Sequence, residues 1–453
     1  MKGYVRIFAL MLSLALLVSC AAVPAGVGTA EKFTVGYGEC DIGFDINEDT
    51  IYVAGYRGAN TAEGVLDVPK VKAVWLEAGK TTLLISVDCV GLASGTVKKI
   101  RNALSDFVRE SGCGSVHVMS THDHAGGDTL GLWGKAGIDG KNEKYMDSLI
   151  SAAVSAAKSA YSDKRTGDIL FGYADCSELL EDTRKPVVFD PNVYCFCFVP
   201  DDGSPGIRIL NLASHAESLG GDNSQISADF PAYIAKTIAA RTGERTICFA
   251  GAIGGLIRTA FRESDPVLNC ESTGMRIAET VLSIDNEIRL EPKLGVITEK
   301  FEIECENPFF IGMKFLGVLE NDLRISFGKS KVRTELTLIT LGEKRILLLP
   351  GEIFPELVYG GDEGFEPTHP ERRDPTELCR LLGEDILIFG LANDEIGYII
   401  PPSDFELHPE HPYLKTPDKD KNGENHYEET NSVGIDAADA VAGAVKRLLE
   451  RIN

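Results

Sequence analysis

Positive charge is in short supply in this chain. Its 453 residues carry 45 Lys and Arg against 68 Asp and Glu, a formal net charge of −23. That balance disfavours electrostatic binding of nucleic acid and direct attachment to anionic lipid. Long apolar runs are scarce as well. After residues 7–18 no segment is apolar enough to cross a membrane. Cysteine is present, 11 in all, but no pair has CxxC or zinc-finger spacing. Cys195 and Cys197 alternate with Tyr194, Phe196 and Phe198 and read as buried small hydrophobes in a strand. Export would permit disulfides, although their connectivity cannot be read from a sequence. Neither an internal repeat nor a long low-complexity segment occurs.

What is present is an ordinary globular composition, 44% hydrophobic and 25% charged, ample for a core. Residues 1–20 read as a lipoprotein signal peptide. Lys2 and Arg6 form a basic region, and residues 7–18 an apolar run too short for a comfortable span. Leu17-Val18-Ser19-Cys20 looks like a bacterial lipoprotein cleavage box, which implies a lipid on Cys20 and anchorage at the outer face of the cell membrane. Residues 21–32 read as a tether and 33–453 as the folded domain.

Patterning predicts an α/β fold of mixed β-sheets flanked by helices. Residues 73–78 and 81–87 read as a hairpin through Gly79, 96–109 as an amphipathic helix ended by Gly112 and Gly114, and 143–160 as an alanine-rich helix. Short buried strands are expected at 207–212 and 246–250, with a helix at 231–240 between them. Residues 333–341 and 345–349 form a hairpin around Gly342-Glu343, and 434–452 a closing amphipathic helix. The polar loop 408–429 is expected at the surface or over a site.

The chemistry concentrates at residues 116–134. Val116, Val118 and Met119 end a buried strand, and Thr121-His122-Asp123-His124 follows at its tip. Strand alternation would turn His122 and His124 to one side and Asp123 to the other. The pair could grip one metal ion, or divide into one ligand and one proton or hydrogen-bond partner for substrate. Three further buried strands exit into polar residues: 207–215 into His215 and Glu217, 346–352 into Glu352, and 386–398 into Asn393, Asp394 and Tyr398. Ligands of α/β sheets sit beyond such strand ends.

The blocks Ser120-Thr121-His122-Asp123-His124-Ala125-Gly126-Gly127, Ser214-His215 with Asn223 and Ile226-Ser227-Ala228-Asp229-Phe230, Leu349-Pro350-Gly351-Glu352, Gly390-Leu391-Ala392-Asn393-Asp394 with Gly397-Tyr398, and Tyr427-Glu428 occur in the order found in neutral/alkaline ceramidases. The chain resembles the catalytic domain of that family, without its C-terminal immunoglobulin-like domain. The resemblance implies a Zn²⁺ site made by His122, His215, Glu352 and Tyr398, with His124 and Tyr427 stabilising an oxyanion and Arg184 holding a polar substrate group. It implies hydrolysis of an amide by metal-activated water. One departure matters: where ceramidases carry a Gly-Asp-x-Ser-Pro-Asn turn, this chain has Gly251-Ala252-Ile253-Gly254-Gly255-Leu256. That turn could still cradle an anion through backbone N–H groups, but ceramide itself is not the expected substrate. Two alternatives stay open. One is a lipid-anchored metal- or ligand-binding protein without catalysis. The other is a metallo-β-lactamase-like hydrolase, for which Gly126-Gly127 stands where an Asp-His pair is needed.

Overall fold

Two mixed β-sheets pack face to face, each with helices on its outer side. The computed structural model describes residues 26–260, 263–326, 328–362 and 364–452. Residues 1–20, read above as a signal peptide ending at Cys20, and most of the expected tether lie outside the described residues.

The larger sheet runs in the order Arg245–Ala250, Ile207–Leu212, Asn192–Pro200, Arg165–Asp175, Phe33–Asp41, Lys70–Glu77, Thr81–Val87, Val116–Ser120. Its two end pairs are parallel, Ile207–Leu212 with Arg245–Ala250 and Thr81–Val87 with Val116–Ser120. The smaller sheet orders Val27–Thr29, Lys293–Glu304, Lys329–Leu341, Lys344–Leu348, Leu387–Phe389. Their facing sides bury Val74, Leu84, Met119, Phe196 and Phe249 against Ile339, Ile346, Leu348 and Phe389. The rings of Phe249 and Phe389 stack across this seam at 4.9 Å. Parallel strands buried on both faces need continuous apolar runs, which is why Ile346-Leu347-Leu348-Leu349 shows no alternation.

The predicted hairpins are present. Leu76 pairs with Thr82 on either side of Gly79, and Leu341 with Lys344 on either side of Gly342. Both glycines have positive φ, +67° and +61°, as tight turns between twisted strands require. The predicted helix over 96–109 is instead two helices, Ser94–Ala103 and Ser105–Ser111. The interruption is one residue, since Leu104 and Val108 still donate to the carbonyls four residues back. The alanine-rich helix Glu143–Ser162 lies on the larger sheet, burying Ala152, Ala153, Ala156, Ala157 and Ala160. Small side chains let it approach so closely that a Cβ on Gly36 would meet the Ala160 carbonyl oxygen at 2.0 Å. The helix Pro266–Leu282 had no counterpart in the sequence reading. The C-terminal helix Ala437–Glu450 covers the smaller sheet through Val441, Ala444, Val445 and Leu448. Ten cysteines among the described residues are free, and Cys195 and Cys197 are buried. No described helix is long and apolar enough to cross a membrane.

Candidate metal centre

The strand exits singled out in the sequence meet at one end of the two sheets. Short backbone links pin them there: Asp123 N–H donates to Cys89 O, His124 N–H to Ala216 O, His215 N–H to Ile257 O and Glu352 N–H to Gly397 O. Glu352 and Tyr398 are neighbours in a short parallel pair. Asn393 bonds both ways with Val118 of the edge strand Val116–Ser120, at 2.7 and 3.0 Å. Asp394 accepts from Ser94 N–H and Asn321. Asp229 accepts from the N–H groups of Ser218, Leu219 and Phe230 and fixes the loop after His215. These motif residues shape the backbone and do not enter the cleft.

The reason the histidines converge differs from the expected one. The strand ends at Ser120, so alternation does not govern residues 122–124. His122 instead has φ = +60°, a left-handed conformation costly for a non-glycine residue and concentrated at functional sites. That kink brings the His122 and His124 rings to 4.7 Å, and His122 and His215 to 4.6 Å. Asp123 turns away and is fully buried, accepting from Ala125 N–H.

The hydrogen bonds of the two ligand candidates define their electronic state. His122 Nδ1 lies 2.7 Å from Val90 O, and His215 Nδ1 2.7 Å from Ile257 O. A carbonyl only accepts, so each Nδ1 donates, which leaves Nε2 as the ring nitrogen turned to the cleft and able to take a ligand. Both Nε2 atoms face the same oxygen, Glu352 Oε2, at 3.3 and 3.2 Å. Two such nitrogens and a carboxylate oxygen at that spacing require positive charge between them. Burial pushes His215 down, but Glu352 carries its imidazole above the ordinary histidine value. Burial pushes Glu352 up, and the His122 and His215 imidazoles outweigh it, holding the carboxyl well below the usual carboxylate range. A divalent cation satisfies all three donors at once, and two imidazoles with a carboxylate suit Zn²⁺. Backbone carbonyls on both Nδ1 atoms are the outer support such ligands ordinarily have.

His124 is close enough to share a cation with the other two imidazoles, one ring nitrogen of each lying within 4.8 Å of the others. Neither of its nitrogens has a hydrogen-bond partner among the described residues. Burial, then the two neighbouring imidazoles, hold it well below the ordinary value, so the ring is neutral with a spare donor. Tyr56 packs edge-on against it at 5.2 Å and donates to Glu217. The Tyr398 hydroxyl lies 3.4 Å from that of Tyr427. Burial, then Glu352, push Tyr398 well above the usual phenol value.

All these side chains line one cleft of about 480 Å³, within the size range of small-molecule sites. Leu130, Leu132, Trp133, Phe309, Phe310 and Leu319 form its apolar wall. Glu395, which sequence reasoning missed, also lines it. Its Oε1 accepts from Gly397 N–H, while its buried Oε2 has no partner among the described residues. Burial, then Glu352, push this carboxyl well above the usual range. Only the spacing to Tyr398 could have flagged it.

Arg184 is not brought to the cleft. It is 3% exposed and ion-paired to Asp404 and, at 3.1 Å, to Glu428. It lies over the Phe354 ring, so its guanidinium binds the chain's own carboxylates. The expected anion cradle at 251–255 is also largely closed. Gly251 N–H donates to Leu212 O and Gly254 N–H to Ile353 O. A Cβ on Gly254 would meet the Ile353–Phe354 backbone at 2.6 Å, which explains why serine cannot stand there. Gly254→Ser is therefore expected to destabilise the fold by about 1–3 kcal/mol, read as a lowered thermal midpoint.

These features define a two-sheet α/β protein with a buried histidine–carboxylate centre at its strand ends. Its fold is that of the neutral ceramidases. The solved structure of neutral ceramidase from Pseudomonas aeruginosa matches with a TM-score of 0.69 and 14% identity, over 92% of this chain and 75% of that one. A ceramidase complexed with C2 matches with a TM-score of 0.68 and 14% identity, over 93% and 76%. No protein-family model and no curated protein matches the chain.

Proposed function

We propose that this chain is a zinc-dependent hydrolase that cleaves an amide bond carrying an apolar N-acyl group. The observation that carries the proposal is the convergence of two imidazole Nε2 atoms and one carboxylate oxygen in an apolar-walled cleft. The ceramidase fold supports it.

His122, His215 and Glu352 would hold the ion, with Tyr398 on the same wall; when bound, it polarises a carbonyl oxygen and acidifies water. The chain's own groups do the rest. The free ring N–H of His124 donates to the carbonyl oxygen as negative charge develops there, and the Tyr427 hydroxyl is a second donor. A well-aimed donor of this kind is worth about 3 kcal/mol. Glu395 holds a proton on Oε2 and passes it to the departing nitrogen. Leu130, Trp133, Phe309 and Phe310 seat the acyl group and exclude water. We further propose export and lipid anchorage through Cys20, on the strength of the signal-peptide pattern in residues 1–20.

The packed 251–255 turn lacks the carboxylate and hydroxyl of ceramidases. It favours, as a second reading, a metal- or ligand-holding protein without turnover. A panel of N-acyl substrates, with and without chelator, separates the two. Chelator-sensitive release of the amine supports the hydrolase, and zinc retention without turnover supports the binder. Within the hydrolase reading, Glu395→Gln should lower kcat by about 10²–10⁴-fold and leave zinc content unchanged. An unaltered kcat would remove Glu395 from the reaction.

A further inference from the structure

The polar loop 408–429 meets Asp404 in a second convergence of ligand-type atoms, separate from the cleft. We propose that Asp404, Asp420 and His426 form a second divalent-cation site, with a mixed nitrogen–oxygen donor set suited to Zn²⁺ or Mn²⁺. One ligand atom from each lies within 4.8 Å of the others.

His426 is fully buried. Its Nδ1 meets Glu429 Oε1 at 2.9 Å, while its Nε2 has no hydrogen-bond partner among the described residues. The nearest carboxylate oxygen to Nε2 is Asp420 Oδ2 at 3.7 Å, too far for a hydrogen bond. A carboxylate on Nδ1–H with Nε2 left open is how metal-binding histidines are commonly oriented. Asp404 is served by Arg184 on Oδ2 and by Thr368 N–H on Oδ1, at 3.3 Å, whereas Asp420 Oδ2 is short of donors. Asp420 Oδ1 is used by the N–H groups of Asn422 and Glu424, both at 2.8 Å. Asp420 Oδ2 has Asn422 Nδ2 at 3.3 Å and shares the Thr368 hydroxyl with Asp404 Oδ1, at 2.9 and 2.8 Å. That hydroxyl has one hydrogen and can serve only one of them.

Charge points the same way. Asp404, Asp420, Glu428 and Glu429 are buried side chains around two cationic candidates, Arg184 and His426. Arg184 is committed to Asp404 and Glu428. Glu428 Oε2 and Glu429 Oε2 are buried without partners among the described residues. Buried carboxylates in excess of cations are costly unless paired or bound to a metal. Residues 418–429 also have the spacing of a calcium loop, Asp418, Asp420, Asn422, Gly423 and Glu429. The structure does not use that register: Asp418 is exposed and Glu429 is engaged by His426 and Glu406 N–H. A cation here would brace the segment that delivers Tyr427 to the cleft.

The test separates this site from the cleft. In His122→Ala/His215→Ala, which disables the cleft centre, Mn²⁺ or Zn²⁺ titrated alone should bind once per chain and raise the thermal midpoint. Adding Asp420→Asn or His426→Gln should abolish both effects. In the otherwise unchanged chain, Asp420→Asn should lower bound zinc from two to one per chain. No metal binding in the double variant, two zinc ions retained by Asp420→Asn, or binding of Ca²⁺ alone that is indifferent to His426→Gln would each overturn the proposal. None of these results depends on turnover.

Discussion

His215→Ala is expected to empty the proposed zinc site and to reduce the proposed amide turnover by about 10³-fold or more. The size follows from what is removed. His215 supplies one of two Nε2 atoms aimed at Glu352 Oε2, and its Nδ1 is already anchored to Ile257 O, so no ring rotation or side-chain exchange replaces it. Loss of a Lewis acid withdraws several kcal/mol of charge stabilisation, and each 1.36 kcal/mol is tenfold in rate. The accompanying loss of stability should be moderate. A cavity is created, but Glu352 loses only one of two imidazole neighbours and His122 still balances it. Metal analysis of the purified variant, with circular dichroism to show that it folds, checks both parts. Retention of stoichiometric zinc in the cleft would contradict the assignment of His215.

Arg184→Met should produce the largest loss of stability, about 3–5 kcal/mol, because it leaves Asp404 and Glu428 buried without their shared cation. Both carboxylates are nearly inaccessible, and Arg184 also donates to Asn425 O at 3.0 Å. The substitution therefore loosens the 402–429 region as a unit, including the approach of Tyr427 to the cleft. The outcome discriminates between two roles. A substrate-binding arginine would raise KM and leave the unfolding midpoint in place. A buried clamp lowers the midpoint in chemical denaturation whether or not substrate is present. Unchanged stability would contradict the structural role argued here.

How far these features were legible in the sequence depends on how local their cause is. Hairpins carried by Gly79 and Gly342 were readable, because a turn needing positive φ writes itself into one residue. So were the strand exits, since an apolar run ending in a polar residue marks a sheet edge without any knowledge of partners. The helix Pro266–Leu282 was not read, its apolar positions being diluted by polar residues that pack against a neighbouring helix. At the site, His122, His215 and Glu352 were named from motif blocks, and the structure brings them together. The alternation argument for His122 and His124 was the wrong cause, since a left-handed kink after Ser120 orients them. Arg184 and Glu395 went astray for one reason. Whether a charge faces a cleft or a buried counter-ion depends on chain segments far away, Asp404 and Glu428 in the first case and Glu352 in the second. No local pattern records that.

The central claim is that a single divalent ion sits among His122, His215 and Glu352. Anomalous diffraction at the zinc edge, from crystals grown with zinc, measures it directly. The account predicts a peak in contact with His122 Nε2, His215 Nε2 and Glu352 Oε2. A cleft with no peak there, in a protein that still hydrolyses amides, would contradict it.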